Sequence, residues 1–312
     1  MTNIFITGSS GYLGEQLIRR LVERDDVGCI VGIDRRPPEI RREKFIFHRA
    51  DIRDQKAGKL MADYAIDTVV HLAFVVQPIR NRQQMHDIDY NGTRNVLHAA
   101  AAAGVNHFVA TSSTLAYGAH PDNPERLTED HPLRGNKRFP YGYYKAETDR
   151  LMQDFAARHE EMKIAILRPC TVFGPDVDNY ISRMLFLPVT VGVAGANPPV
   201  QFIHQSDFVD ACLTAISKKA AGIFNLAGDG TVNVYDIAQI MNTRLIKVFP
   251  KVLYPALELL WRLHVPGIEV NAGYLDYIRY PFVASNRKAK DQLGFYPKYD
   301  SRQTLAATRK GR

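Results

Sequence analysis

The sequence predicts an α/β protein: a doubly wound parallel sheet with helices on both faces, followed by a smaller C-terminal α/β lobe. Three observations predict it. The apolar run Ile4-Phe5-Ile6 delivers directly into Thr7-Gly8-Ser9-Ser10-Gly11-Tyr12-Leu13-Gly14. A second apolar run, Cys29-Ile30-Val31-Gly32-Ile33, ends in Asp34. From there to about Leu167, strand-like and helix-like segments alternate, the pattern of a parallel sheet built from crossover units.

The glycine segment reads as the phosphate-binding turn of a Rossmann-type fold. Gly8, Gly11 and Gly14 let the chain turn sharply, approach a pyrophosphate and pack the next helix closely, while Ser10 and Tyr12 line the turn. That helix carries Leu13, Leu17, Ile18, Leu21 and Val22 at helical spacing, and its first amides and dipole face the phosphates. Asp34 stands about twenty residues beyond Gly14, where a carboxylate meets the adenosine ribose hydroxyls. A carboxylate there repels a 2′-phosphate and favours NAD over NADP. Arg35 and Arg36 follow, and read either as partners for such a phosphate or as a solvated basic loop.

The remaining elements follow in order. Phe45-Ile46-Phe47 is a short strand, with Asp51-Ile52 at a strand end; residues 67–73 form the next strand and its exit. A helix then covers residues 91–103, a strand Phe108-Val109-Ala110 leads into Thr111-Ser112-Ser113, and a second long helix runs from near Tyr141, behind Pro140, to about Glu160. Ile164 to Leu167 is a strand ending in Arg168-Pro169. Residues 1–174 therefore read as the dinucleotide domain and 175–312 as a substrate lobe, with short runs such as Gln201 to His204 and Ile223 to Leu226 inside it.

Composition sets bounds. A chain of 312 residues, 46% hydrophobic and 23% charged, buries a large core. The net charge of +7 suits an anionic ligand, but the basic residues are scattered rather than striped and leave no nucleic-acid footprint. Cys29, Cys170 and Cys212 lack metal or disulfide spacing and read as reduced thiols of a cytoplasmic protein. A strand beginning by residue 3 leaves no room for a signal peptide. Residues 248–265 are apolar but contain Lys251, Glu258, Arg262 and two prolines, which excludes a membrane span; a helix packed on the lower lobe is the expectation there.

The chemistry concentrates at Tyr141-Gly142-Tyr143-Tyr144-Lys145. Tyr141 and Lys145 are spaced i, i+4 and share one helix face. A phenol is a poor base at neutral pH; an adjacent ammonium and a cationic nicotinamide stabilise its phenolate, so it can take a proton from an alcohol. Ser113, at the end of the neighbouring strand, is placed to hydrogen-bond the same oxygen. The reaction class is alcohol–carbonyl redox.

Taken together, these residues resemble an extended short-chain dehydrogenase/reductase of the NAD-dependent epimerase/dehydratase group. The resemblance is carried by Thr7 to Gly14, Asp34, Asp51-Ile52, His71-Leu72-Ala73, Asn91-Gly92-Thr93, Thr111-Ser112-Ser113 ahead of Tyr117-Gly118, Pro140-Tyr141-Gly142 with Lys145, and Arg168-Pro169 ahead of Phe173-Gly174-Pro175. Phe202-Ile203-His204 with Asp207, and Leu293-Gly294-Phe295 with Pro297, extend it to the C-terminal part. It implies Ser113, Tyr141 and Lys145 as the catalytic trio, with Lys145 also on the nicotinamide ribose. It implies Asp51 and Ile52 at the adenine, Leu72, Ala73, Phe74, Thr111 and Pro169 along the cofactor, and Asn91 supporting the catalytic region. A homodimer through the two long helices is a further implication.

Departures narrow the reaction. Family 4,6-dehydratases carry an Asp-Glu pair where this chain has Thr114-Leu115, so dehydration lacks its extra acid and base. Thr171 and Val200 replace an asparagine and an arginine frequent in nucleotide-sugar enzymes, and a bidentate charged contact to a diphosphate is not replaced by valine. Expected pocket residues are Phe74, Thr114, Thr171, Phe173, Asn179 and His204. Two enzyme readings result: a nucleotide-sugar 4-epimerase using tightly held NAD, and a net dehydrogenase or reductase of a less polar alcohol or ketone, as in 3β-hydroxysteroid dehydrogenase relatives. A non-catalytic dinucleotide sensor is the third reading, opposed by the presence of both Tyr141 and Lys145.

Overall fold

The structure, a computed structural model, describes residues 1–76 and 79–311. The first half follows the alternation read from the sequence: β1 (Thr2–Thr7), α1 (Tyr12–Leu21), β2 (Val27–Asp34), β3 (Phe45–Arg49), α2 (Lys56–Asp63), β4 (Thr68–His71), α3 (Arg82–His86), α4 (Gly92–Ala102), β5 (His107–Thr111), α5 (Pro140–Ala156) and β6 (Lys163–Pro169). The second half adds β7 (Thr171–Phe173), α6 (Tyr180–Leu185), β8 (Val189–Val193), β9 (Phe202–His204), α7 (Gln205–Ser217), β10 (Gly222–Leu226), α8 (Val234–Met241), β11 (Arg244–Val248), α9 (Pro250–Arg262) and α10 (Ser301–Lys310).

Seven parallel strands form one sheet in the order β3-β2-β1-β4-β5-β6-β10. Because strand side chains alternate between faces, each strand feeds two cores. Ile4, Ile6, Ile30, Val109 and Leu167 pack with α1 and α7, whereas Phe5, Val31, Val69, Phe108 and Ile166 pack with α2, α4 and α5. The strand order reverses between β1 and β4, and the crevice at their carboxyl ends is where such folds bind ligands.

Four expectations change. Ile223 to Leu226 does not belong to a separate lobe: β10 pairs in register with β6, Ile223 beside Ile166, and completes the main sheet. The chain therefore leaves the main sheet after β6 and returns to it through α7 and β10. The helix expected over 91–103 is longer: α3 leads through a π-turn at Asp87–Asn91 into α4. The helix expected to pack on the lower lobe, α9, does so along one side only: Leu257 packs against the cluster of Val270 and Tyr277 and Tyr254 donates to Asp276 at 2.9 Å, but no residue of α9 is fully buried, and Val252 and Leu259 are exposed. Helix α5 ends at Ala156 rather than Glu160, because the chain turns at His159 to enter β6.

Candidate functional site

The glycine turn is shaped by contacts that no side chain tolerates. Gly8 sits at φ +71°, and a Cβ there would lie 2.8 Å from the Ala73 nitrogen; one on Gly14 would lie 2.3 Å from the Gly8 carbonyl oxygen. Gly11 precedes α1 without a side-chain cap, so the first amides of α1, at Tyr12 and Leu13, keep their dipole and donors for an anion. Leu13 packs on the core below the turn, while the buried Tyr12 hydroxyl has no partner among the described residues, its pKa raised by burial and by Asp176. These features fit the pyrophosphate of a dinucleotide.

Asp34 lies at the end of β2 across from this turn. Its carboxylate accepts the Ser10 and Arg36 amides, each at 3.2 Å, and Ser10 Oγ donates to the Arg36 carbonyl at 2.7 Å. Arg35 is exposed beyond it. Asp51 is held by Arg53, whose Nε and Nη2 donate to the two carboxylate oxygens at 2.9 and 2.8 Å; that pairing lowers the Asp51 pKa. Ile52 is buried in the sheet core, its side chain against Gly92. Leu72 and Ala73 run beside Gly8, their amides donating to the carbonyl and hydroxyl of Thr7 at 3.2 Å each.

The expected catalytic trio converges at the ends of β5 and β6. Lys145 Nζ donates to the Thr111 carbonyl at 2.8 Å and stands 3.6 Å from the centre of the Phe74 ring and 5.9 Å from that of Tyr141. Phe74 in turn meets Tyr141 edge-on at 5.6 Å. Ser113 Oγ donates to the Pro169 carbonyl at 3.3 Å and accepts the Leu115 amide at 3.2 Å. Burial pushes the Tyr141 phenol well up, with Asp89 adding to the effect. Burial also pushes the Lys145 ammonium down, opposed by Asp89 and Asp149.

Asp89 is the residue sequence reasoning missed. It is fully buried in the π-turn, one carboxylate oxygen accepting the Val75 amide at 2.8 Å and the other without a partner among the described residues. Burial raises its pKa, and the Lys145 charge opposes the rise. Asn91, expected to support this region, points elsewhere: its amide donates to Asp87 at 2.9 Å, within the Arg53 network. Residues two apart in a helical turn point to roughly opposite sides, so only one of them can face Lys145.

A buried chain of hydrogen bonds links this turn to the glycine loop. The Ala73 amide donates to Thr7 Oγ1, Thr7 Oγ1 meets His71 Nδ1 at 2.8 Å, His71 Nε2 meets Thr93 Oγ1 at 3.0 Å, and Thr93 Oγ1 donates to the Asp89 carbonyl at 2.6 Å. A neutral ring completes this chain, and burial, aided by Lys145, lowers the His71 pKa to about 3. A histidine whose folded pKa lies below its unfolded value stabilises fully above the unfolded pKa and loses that contribution as pH falls. Denaturation midpoints should therefore drop by an equivalent of roughly 2 kcal/mol between pH 7 and pH 5 through His71 alone. His71→Gln should remove that part of the slope; an unchanged slope contradicts the assignment.

Among expected pocket residues, three are committed elsewhere. Phe173 has no exposed surface and stacks on Phe202 at 5.0 Å. Asn179 caps α6, accepting the Ile181 and Ser182 amides at 2.9 Å. His204 caps α7 through Ser206 and stacks on Tyr299 at 4.0 Å. Thr114 is buried with an unpartnered hydroxyl, and Thr171 is half-buried on β7. The wall near Tyr141 comes instead from neighbouring Phe139 and from the distant Tyr274, Tyr277 and Tyr180, the last with a buried hydroxyl that has no partner among the described residues. Among the described residues, no cluster of three metal-ligating side chains occurs and no helix is long and apolar enough to cross a membrane.

A seven-stranded parallel sheet, a glycine turn at its switch point and a tyrosine–lysine pair beside it define an enzyme of the dinucleotide-dependent class. The chain belongs to the NAD dependent epimerase/dehydratase family, whose sequence profile matches residues 4–227. It is 26% identical over 312 aligned positions to an uncharacterized protein of Mycobacterium tuberculosis, covering 95% of this chain and 80% of that one. It is 25% identical to a UDP-glucose 4-epimerase of Oryza sativa subsp. japonica, over 81% of this chain and 72% of the relative. The fold is shared with MoeE5, solved in complex with UDP-glucuronic acid and NAD, at a TM-score of 0.77 and 24% identity over 99% of this chain and 98% of that one.

Proposed function

We propose that this protein catalyses NAD-dependent, reversible oxidation at a carbinol of a nucleotide sugar, as a 4-epimerase. The observation that carries the reading is the placement of Tyr141 and Lys145: one face of α5, with Lys145 anchored on the last residue of β5 and Ser113 two residues beyond. Bound NAD supplies the hydride acceptor and, once reduced, the donor. Gly8, Gly11 and Gly14 would hold its pyrophosphate, Asp34 its adenosine ribose, and Lys145 its nicotinamide ribose. Ser113 orients the substrate hydroxyl, and Tyr141 takes its proton and returns it. Lys145 stabilises the phenolate by charge, and the buried aromatic wall excludes water from the exchange. Relatives named as UDP-sugar epimerases support the substrate class.

One observation favours a second reading. Val200 carries no charge, and the wall of Phe139, Tyr274 and Tyr277 is aromatic, with the Tyr277 hydroxyl already donating to the Leu115 carbonyl at 2.9 Å. A less polar alcohol or ketone suits that wall, with NAD exchanging after each turnover. Native mass spectrometry of the purified protein separates the two. Retained NAD at one per chain supports the epimerase, and an empty protein supports the dehydrogenase. The same spectrum reads the assembly: we place a homodimer on α4 and α5, so a mass of one 35.2 kDa chain would exclude it.

A further inference from the structure

The catalytic cleft does not end at Tyr141. A narrow space of about 50 Å³ reaches Tyr141 past Met85, Phe139, Trp261 and Val270. It shares Arg82 and Asn271 with a wider cavity of about 350 Å³ between α3, α9 and the segment before α5, which Arg138 and Arg262 also line.

The charge in this cavity is unbalanced. Glu258 is its single carboxylate, and it pairs with Arg262 at 3.0 Å. Arg82 is fixed in place, its Nη2 donating to the carbonyls of Lys137 and Arg138 at 3.0 and 3.3 Å. Asn271 Nδ2 donates to the same Arg138 carbonyl at 2.7 Å. The Arg138 guanidinium has no hydrogen-bond or ion-pair partner among the described residues. Arg80 stands beside the narrow space, 4.0 Å from the Trp261 ring and donating to the Trp261 carbonyl. Arginine side chains lining one concave space, with a single paired carboxylate among them, raise the positive potential there and suit planar or tetrahedral oxyanions.

We infer that this cavity is an anion subsite, in which Arg82 and Arg138 hold a carboxylate or phosphoryl group of the substrate on the far side of the carbinol that meets Tyr141. The inference rests on Tyr141 being the reacting end. It gives the substrate a negative charge within reach of that carbinol, bound from the α3 and α9 side. It also supplies, from other residues, the charged grip that Val200 lacks.

The test is calorimetric titration of the NAD-loaded protein with inorganic diphosphate and, separately, with free glucuronate, on wild type and on Arg138→Gln. Arg138 is exposed and its side chain supports no other element, so this variant reports the contact rather than the fold. The expected result is that wild type binds at least one probe and that Arg138→Gln binds it about tenfold or more weakly, the loss of a charge-assisted contact. Preference for diphosphate assigns the subsite to a phosphoryl group, and preference for glucuronate assigns it to a carboxylate. Equal binding by variant and wild type, or no binding of either probe, overturns the inference. Arg138-dependent binding without turnover of any UDP-sugar leaves the subsite standing and removes the epimerase reading instead.

Discussion

Tyr141→Phe should lower turnover by about 10²- to 10⁴-fold, the range for losing a positioned proton carrier, while leaving NAD binding unchanged. The phenol is half-buried beside Phe74 and Lys145, and its desolvation and Asp89 together keep it protonated in the free protein. Charge on its oxygen is therefore sustained only when cationic groups face it. Lys145 is the one fixed by the fold, through its bond to the Thr111 carbonyl. Removing the hydroxyl deletes the proton's acceptor without disturbing the ring packing. Lys145→Met should do both harms, lowering turnover and weakening NAD. Turnover retained by Tyr141→Phe would remove Tyr141 from the chemistry.

Arg168→Met should destabilise the fold by about 3–5 kcal/mol, the usual result of stripping one partner from a buried ion pair. Arg168 and Asp149 are almost wholly buried, joined by two bonds of 2.8 Å. The same guanidinium donates to the Tyr117 hydroxyl at 2.7 Å and the Glu129 carbonyl at 3.1 Å, and Tyr117 donates on to Asn225 at 2.8 Å. One residue of β6 thus ties α5, the Ser113 turn and β10 together. The change leaves the Asp149 carboxylate charged and unpaired, which is where the loss arises. A second change, Asp149→Leu, should restore much of the stability, because replacing both partners by apolar groups removes the stranded charge. A loss below about 1 kcal/mol in denaturant titration of the single variant would contradict this role.

What was legible in the sequence was local. The glycine turn, Asp34 and the Tyr141–Lys145 spacing each lie within one element or one turn, and composition and periodicity reveal them directly. The Asn179 cap was not legible: Asn179 read as a pocket residue, and its partner three residues on is Ser182, where the usual capping box has Glu or Gln. What was not legible depended on partners far along the chain. Tyr274 and Tyr277 reach Tyr141 from more than a hundred residues away, and no repeat marks them. The placement of Ile223 to Leu226 turned on its pairing with β6, which hydrophobicity alone does not specify. The choice between Asp89 and Asn91 turned on helix phase across a π-turn, whose extra residue shifts which side chain faces inward.

The most direct test of the central claim follows one hydrogen. The NAD-loaded protein is incubated with UDP-glucose carrying deuterium at C4, and sugar products and free NADH are measured together. The account predicts the C4 epimer with its deuterium retained on the same carbon and no accumulation of NADH. Steady loss of label from the sugar with matching growth of labelled NADH, or no reaction at C4, would contradict it.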